Sequence, residues 1–351
     1  MPHTIPALTP DVRYARSRDG TNVAYFAIGA GPVLIDLVQP PLCNVDLIWR
    51  IPEFAEQMRA ARAVTYVQID VRGFGMSDRD VSDLSLASMV LDIEAVADAL
   101  GAERFALATW GERAMPALAC AASHEGRVFA MALREGFGRG KFKPRAEDAT
   151  MLQLAHDNWE LFMRLSADGT QNLLSVAGLR MMHELITRSA TQEMYLRYVR
   201  EWMAWDIFDV LSSVTMPVLV TSDGFTPREE CRRLVAALPK GSLVTNSWQR
   251  GERSPSADAF NAFLAQAFIS NAGGGAPQPA GVDAHDAGAA LTPREVEVLR
   301  LILAGKSGRE IASELVLSAR TVERHVANIY RKTKTHGRAQ LAAFALRRGL
   351  V

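Results

Sequence analysis

The chain has 351 residues, 48% hydrophobic and 22% charged, which is material for one large and one small globular domain. It has no run of about 18 apolar residues, no basic-then-apolar N-terminus and only three scattered cysteines, so a membrane span, a secretory signal and a disulfide framework are not expected and a cytoplasmic location is. The net charge of zero divides unevenly: from Leu291 onward there are 12 Lys or Arg against 5 Asp or Glu, about +7, and the rest of the chain carries about −7.

Along the first 130 residues, strand and helix patterns alternate. Val12 to Arg16 and Asn22 to Phe26 flank Asp19-Gly20, a hairpin signal. Val33 to Val38, Val64 to Ile69 and Phe105 to Ala108 are short apolar runs of the kind buried in a sheet, and Leu91 to Leu100 reads as a helix. Strands alternating with helices imply an α/β fold with a parallel sheet covered on both faces.

The stretches RDGTNVAYFAIGAGP, IDVRGFGMSD (69 to 78), FALATWGERAMPALACAASHEGRV (105 to 128) and MPVLV (216 to 220) resemble the α/β-hydrolase family. The resemblance implies a helical lid, here about 138 to 213, and a site at the C-terminal ends of the strands. It also implies a serine on a Gly-x-Ser-x-Gly turn. This chain instead reads Thr109-Trp110-Gly111-Glu112-Arg113, with Gly111 at the nucleophile position. Arg253 falls nearest the place of the general-base histidine, and guanidinium cannot accept a proton there. Asp223 lies near the acid position, and the oxyanion loop reads Gln39-Pro40-Pro41, where proline offers no N–H. Asp70, Arg72, Gly73 and Gly75 read as a structural loop. Ser123 and His124 are merely adjacent, and Cys120 is expected in the packing. The expectation is therefore a hydrolase body without hydrolase chemistry, and no enzyme activity, cofactor or metal is expected.

The lid is rich in Trp and Met, which suits a small, mostly apolar ligand. Candidate pocket residues are Gln39, Cys43, Trp110, Gly111, Glu112, Trp159, Met163, Met182, Tyr198, Trp202 and Arg253. The alternatives stay open: the lid residues could simply pack the lid, and Arg253 could face solvent.

Residues 270 to 290, SNAGGGAPQPAGVDAHDAGAA, have the composition of a flexible linker, which divides a domain of 1 to 269 from one of 291 to 351. In the second domain, Thr292-Pro293-Arg294-Glu295 and Ser307-Gly308-Arg309-Glu310 are capping boxes opening two helices. Ser318 caps a third, reaching about Lys332, with Val322, Val326 and Ile329 inward and Thr321, Arg324, Asn328 and Arg331 outward. A fourth runs from about Arg338 to Arg348. A short helix, a tight turn and a longer helix with a polar, basic face is the helix-turn-helix arrangement.

The stretch from LTPREVEVLRLILAGKSGREIA through TVERHVANIYRK to the end resembles the LuxR/FixJ-type DNA-binding domain. The resemblance puts Glu323, Arg324 and Ala327 toward the bases. It makes Ser307, Arg309, Arg320, Thr321, His325, Asn328 and Lys332 candidates for backbone contact or helix orientation. In that family the last helix makes the dimer contact, which suggests Leu341, Phe344 and Ala345, although packing within the monomer would account for each equally well. A basic module on an acidic body matches a nucleic-acid reader with a regulator attached. The expected function is a transcription regulator whose partners are double-stranded DNA, a small apolar ligand and a second copy of the chain, with RNA polymerase as a candidate and no membrane. A dimerisation or docking scaffold without ligand is the alternative, and a bifunctional hydrolase-regulator a more distant one.

Overall fold

A computed structural model describes residues 10–60, 64–141, 146–168, 174–246, 255–272, 291–303, 306–315, 317–333, 341 and 345. The chain divides into two compact units, Met1–Arg59 with Val64–Phe260 and Ala60–Ala63 with Asn261–Val351. The expected linker falls outside the described residues from 273 onward.

The first unit is built on strands β1 (Arg13–Arg16), β2 (Asn22–Ile28), β3 (Val33–Leu37), β4 (Thr65–Ile69), β5 (Phe105–Trp110), β6 (Val128–Arg134), β7 (Val218–Ser222) and β8 (Gly241–Thr245). Among the described residues they form one sheet in the order β1-β2-β4-β3-β5-β6-β7-β8. β1 and β2 are an antiparallel hairpin, β2 runs antiparallel to β4, and every later pairing is parallel. The hairpin turn places Gly20 at φ 95°, which glycine adopts without steric cost. β5 and β6 are apolar along most of their length, without alternation, because both their faces are buried up to the last residue.

Helices α1 (Pro52–Ala60), α2 (Leu86–Ala99) and α3 (Ala114–Ser123) follow β3, β4 and β5 in turn. α2 begins five residues before the periodicity alone suggested, because Ser85 caps it by accepting from the Ser88 N–H at 3.2 Å. Between β6 and β7 lies the lid: α4 (Ala146–Asp157), α5 (Trp159–Asp168), α6 (Val176–Ser189) and α7 (Gln192–Ala204). Ser175 and Thr191 cap α6 and α7. α8 (Arg228–Ala237) joins β7 to β8, and α9 (Pro255–Ala272) follows.

The loop after β4 is structural, as the sequence suggested. Asp70 accepts from the N–H groups of Val45 at 3.0 Å and Met76 at 2.8 Å, and a side chain on Gly75 would collide with it. Burial pushes the Asp70 carboxyl up to about 7, against the pull of those N–H groups. Arg72, 1% exposed, donates to both oxygens of Asp92 at 2.8 and 2.6 Å and to Asp19 at 2.5 Å, which ties the hairpin to α2. Cys43, Cys120 and Cys231 are all buried and free. Ser123 donates to Ala119 O, and His124 faces Glu94 at 3.1 Å, so the two form no nucleophile-base pair.

The second unit contains α10 (Pro293–Leu303), α11 (Gly308–Glu314) and α12 (Ala319–Thr333). Val298, Leu299, Ile302, Ile311, Val322 and Ile329 form its core. Both capping boxes exist as geometry. Thr292 N–H donates to Glu295 at 2.8 Å and Glu295 N–H returns to Thr292 Oγ1 at 3.3 Å; Ser307 and Glu310 do the same at 2.7 and 3.4 Å. Leu341 and Ala345 are 0% exposed and belong to this same core. Side chains spaced by four on one helix face can serve a core or an interface, and the burial of these two is the packing alternative that the sequence left open. Phe344 lies outside the described residues.

Candidate functional site

Two surfaces carry the expected residues. On α12, Arg320, Arg324, Ala327 and Arg331 are exposed, while Thr321, His325 and Asn328 are partly so. Ser318 fixes the start of the helix by accepting from Thr321 N–H at 3.1 Å, and the two hydroxyls meet at 2.8 Å. Asn328 Oδ1 accepts from Arg331 at 3.0 Å, which orients that guanidinium along the helix. Ser307 is exposed at the start of α11. The side chains of Arg309 and Glu323 lie outside the described ones.

Lys332 is engaged within the domain. Its Nζ lies 2.7 Å from Glu295 Oε2, on a carboxylate 4% exposed that also accepts from the Thr292 N–H and hydroxyl. Burial raises the Glu295 carboxyl, but the bonds from Lys332 and Thr292 outweigh it and hold the group below its ordinary range. The last turn of α12 is thereby pinned to the first turn of α10. Sequence spacing gave no sign of this, since the partners stand 37 residues apart.

In the first unit, β5 ends at Trp110 and α3 begins at Ala114, with Gly111 at φ 58° between them. This is the strand-turn-helix position where a hydrolase carries its nucleophile. Gly111 has no side chain, and the space is partly taken: a Cβ there would stand 2.8 Å from Gln39 Oε1. Glu112 is 8% exposed and accepts from the Tyr198 hydroxyl, on α7, at 3.0 Å. Burial pushes its carboxyl up to about 7, a rise partly offset by its own backbone N–H, by Arg113 and by Tyr198. Arg113 is 2% exposed beside it. Trp110, 36% exposed, meets the edge of Phe225, 48% exposed, with ring centroids 6.0 Å apart. Phe225 was not anticipated from the sequence.

The other pocket candidates divide. Tyr198 packs edge-on to Phe74 and Trp205. Trp202 packs on Phe137 at 5.8 Å. Trp159 stacks on Phe162 at 5.2 Å beside Tyr195. Met163 and Met182 belong to a separate apolar cluster with Phe26, Ile48 and Ile51, so they are not brought to the elbow. Cys43 has no exposed surface, and burial drives its thiol far above the usual range. Arg253 lies outside the described residues.

Asp223, near the acid position, follows β7 and accepts from the Ser256 hydroxyl in the first turn of α9. Its N–H donates to Glu135, which also accepts from Gly224 N–H at 3.1 Å and Thr226 N–H at 2.7 Å. Glu135 holds this loop from a backbone φ of 52°, a conformation its sequence context did not announce.

Residues 289–345 match the family model described as "Bacterial regulatory proteins, luxR family". The spore germination protein GerE of Bacillus subtilis is 44% identical over 59 residues, 17% of this chain and 80% of GerE. The probable transcriptional regulator ycf29 of Cyanophora paradoxa is 43% identical over 61 residues, 17% of this chain and 29% of ycf29, so this chain spans less than a third of that relative. The larger unit is similar in fold to an esterase from Exiguobacterium antarcticum, with a TM-score of 0.60, 16% identity, and coverage of 73% of this chain and 98% of the esterase. That likeness establishes an α/β-hydrolase fold. No described helix is long and apolar enough to cross a membrane.

Proposed function

Because this chain belongs to the luxR family of bacterial regulatory proteins, we propose that it is a DNA-binding transcription regulator whose hydrolase-like body senses a small, mostly apolar ligand without cleaving it. Residues 291–351 are the reader, 273–290, after α9, the tether and the chain up to α9 the sensor. The observation that carries the proposal is α12: a capped helix with Arg320, Arg324 and Arg331 exposed, set on α10 and α11 by an apolar core. α12 lies in the major groove, Arg324 and Ala327 meet base edges, and Arg320 with the α11 cap at Ser307 contacts phosphates. The chain acts as a homodimer on paired half-sites.

The sensing half of the proposal is supported by Gly111 at the elbow and the exposed Trp110–Phe225 pair beside it. The scaffold reading is favoured by one specific observation: Met163, Met182 and Tyr198, 5%, 1% and 1% exposed, are committed to packing. Two measurements test these readings. Sites selected from random DNA by the full chain should lose about 1–3 kcal/mol of binding on Arg324→Ala, with relaxed preference at one base position; an equal loss on all sequences removes the base-reading role. A thermal-shift screen of the full chain should give dose-dependent stabilisation by one compound class, following RT ln(1 + [L]/Kd). No shift from any class leaves the scaffold reading.

A further inference from the structure

Among the described residues, β1 and β8 are the two edges of the sheet, and they differ in kind. β1 reads Arg-Tyr-Ala-Arg, and both of its arginines are exposed. Charged side chains of this sort keep an edge strand from pairing with another chain. β8 reads Gly241-Ser242-Leu243-Val244-Thr245, with no charge and no proline. Its composition is that of a strand open to a further neighbour.

The ladder decides which amides of β8 are free. Along a parallel pair, successive residues turn their N–H and carbonyl groups alternately to one neighbour and to the other. Lys240 O accepts from the Val218 N–H at 3.1 Å, and the Asn246 N–H donates to Ser222 O at 2.9 Å. Ser242 and Val244 therefore face β7, and Leu243 and Thr245 turn their amide groups to the outer edge. Leu243 is half-buried and Thr245 exposed. Antiparallel pairing of β8 with its own copy, centred on Leu243, brings outward groups only against outward groups. Leu243 then meets Leu243 of the second copy in a hydrogen-bonded pair. Thr245 meets Gly241 of the second copy, whose N–H is otherwise held by a long bond to Leu238 O at 3.4 Å. Ser242 and Val244 form the non-hydrogen-bonded pair between them, and no charge opposes its own kind.

We infer that the larger unit pairs with a second copy of this chain edge to edge through β8, in antiparallel register about Leu243. The arginines of β1 guard the far edge of each copy, so the contact closes as a two-fold dimer and does not grow into a fibre. The inference rests on the homodimer reading above and names its contact surface.

The test uses the full chain, which should be a dimer by analytical ultracentrifugation at micromolar concentration. Thr245→Pro removes an outward N–H and spares every bond to β7, so the dimer Kd should rise about tenfold or more while the circular dichroism spectrum is kept. Ser242→Cys combined with Val244→Cys sets thiols across the pair where the two backbones are closest. Oxidation by copper-phenanthroline should then close a covalent dimer, and Tyr14→Cys on the β1 edge should not. A dimer that resists Thr245→Pro, or that cross-links no faster through 242 and 244 than through 14, overturns the β8 contact and leaves the homodimer standing. A monomeric parent overturns both. Should Thr245→Pro not fold, the cross-link decides alone.

Discussion

Tyr198, on lid helix α7, donates its hydroxyl to Glu112 Oε1 at 3.0 Å, so the residue after the elbow glycine is tied to the lid. The bond lies where burial holds the Glu112 carboxyl near 7 against an ordinary value of 4.5. In the unfolded chain this group ionises at the lower value, in the folded protein only at the higher. Its contribution to stability is thus present below about pH 4.5 and lost as pH rises through about 7. Glu112→Gln should flatten that fall and gain on the order of 2–3 kcal/mol over the parent at pH 8, measured by urea denaturation across pH 5 to 8. Asp70, also near 7, keeps part of the slope in the variant. An unchanged slope would mean that Glu112 is not the titrating group.

Arg72 answers two carboxylates, Asp92 and Asp19, from a position 1% exposed. Arg72→Met should cost about 3–5 kcal/mol, because it strands charge in the interior. The double variant with Asp92→Leu should recover part of the loss. A cost below about 1 kcal/mol would show that the network is solvated in solution.

Gly111→Ser places a hydroxyl at the elbow, and on the non-catalytic reading no base activates it. The backbone at φ 58° and the nearby Gln39 oxygen should make the change destabilising by about 1–2 kcal/mol. Turnover of p-nitrophenyl esters should stay at background. Appearance of activity that a serine-directed phosphonate abolishes would contradict the non-catalytic reading.

In the smaller domain, Lys332→Met leaves Glu295 buried with only its Thr292 bonds and should cost about 1–3 kcal/mol at neutral pH. Because the Glu295 carboxyl is held below its ordinary range, its contribution is present above that range and vanishes as pH falls through it, so parent and variant should converge in acid. DNA affinity should fall equally on all sequences as α12 loses its fixed angle. A loss confined to one base position would instead make Lys332 a reader.

The parts of the molecule legible in the sequence were those governed by local chemistry. Short apolar runs marked β3, β4 and β5, and both capping boxes formed as their Thr-x-x-Glu and Ser-x-x-Glu spacing implied. Gly111 was recognisable because the turn lies between a buried strand and a helix. Partnership across long sequence distances was not legible. A methionine on a lid helix reads the same whether it faces the elbow or, like Met163 and Met182, joins the separate cluster that includes Phe26 and Ile48. Leu341 and Ala345 fit a dimer seam or a core by the same spacing. Glu135, the organiser of the loop after β7, carries no signal beyond a lone acid at the end of an apolar strand.

The buried cysteines make the larger unit report on its own opening. Cys43, Cys120 and Cys231 are 0%, 1% and 0% exposed, and burial raises all three thiols, the latter two to about 12. Thiolate is the form that alkylating reagents attack, so in the native state none should react at neutral pH. Each becomes reactive only when its surroundings part. Cys120 sits on α3 after the elbow and Cys231 on α8 between the last two strands, so residue-resolved alkylation rates are separate clocks for local unfolding. A ligand that seals the elbow should slow the clocks at Cys43 and Cys120 before the one at Cys231.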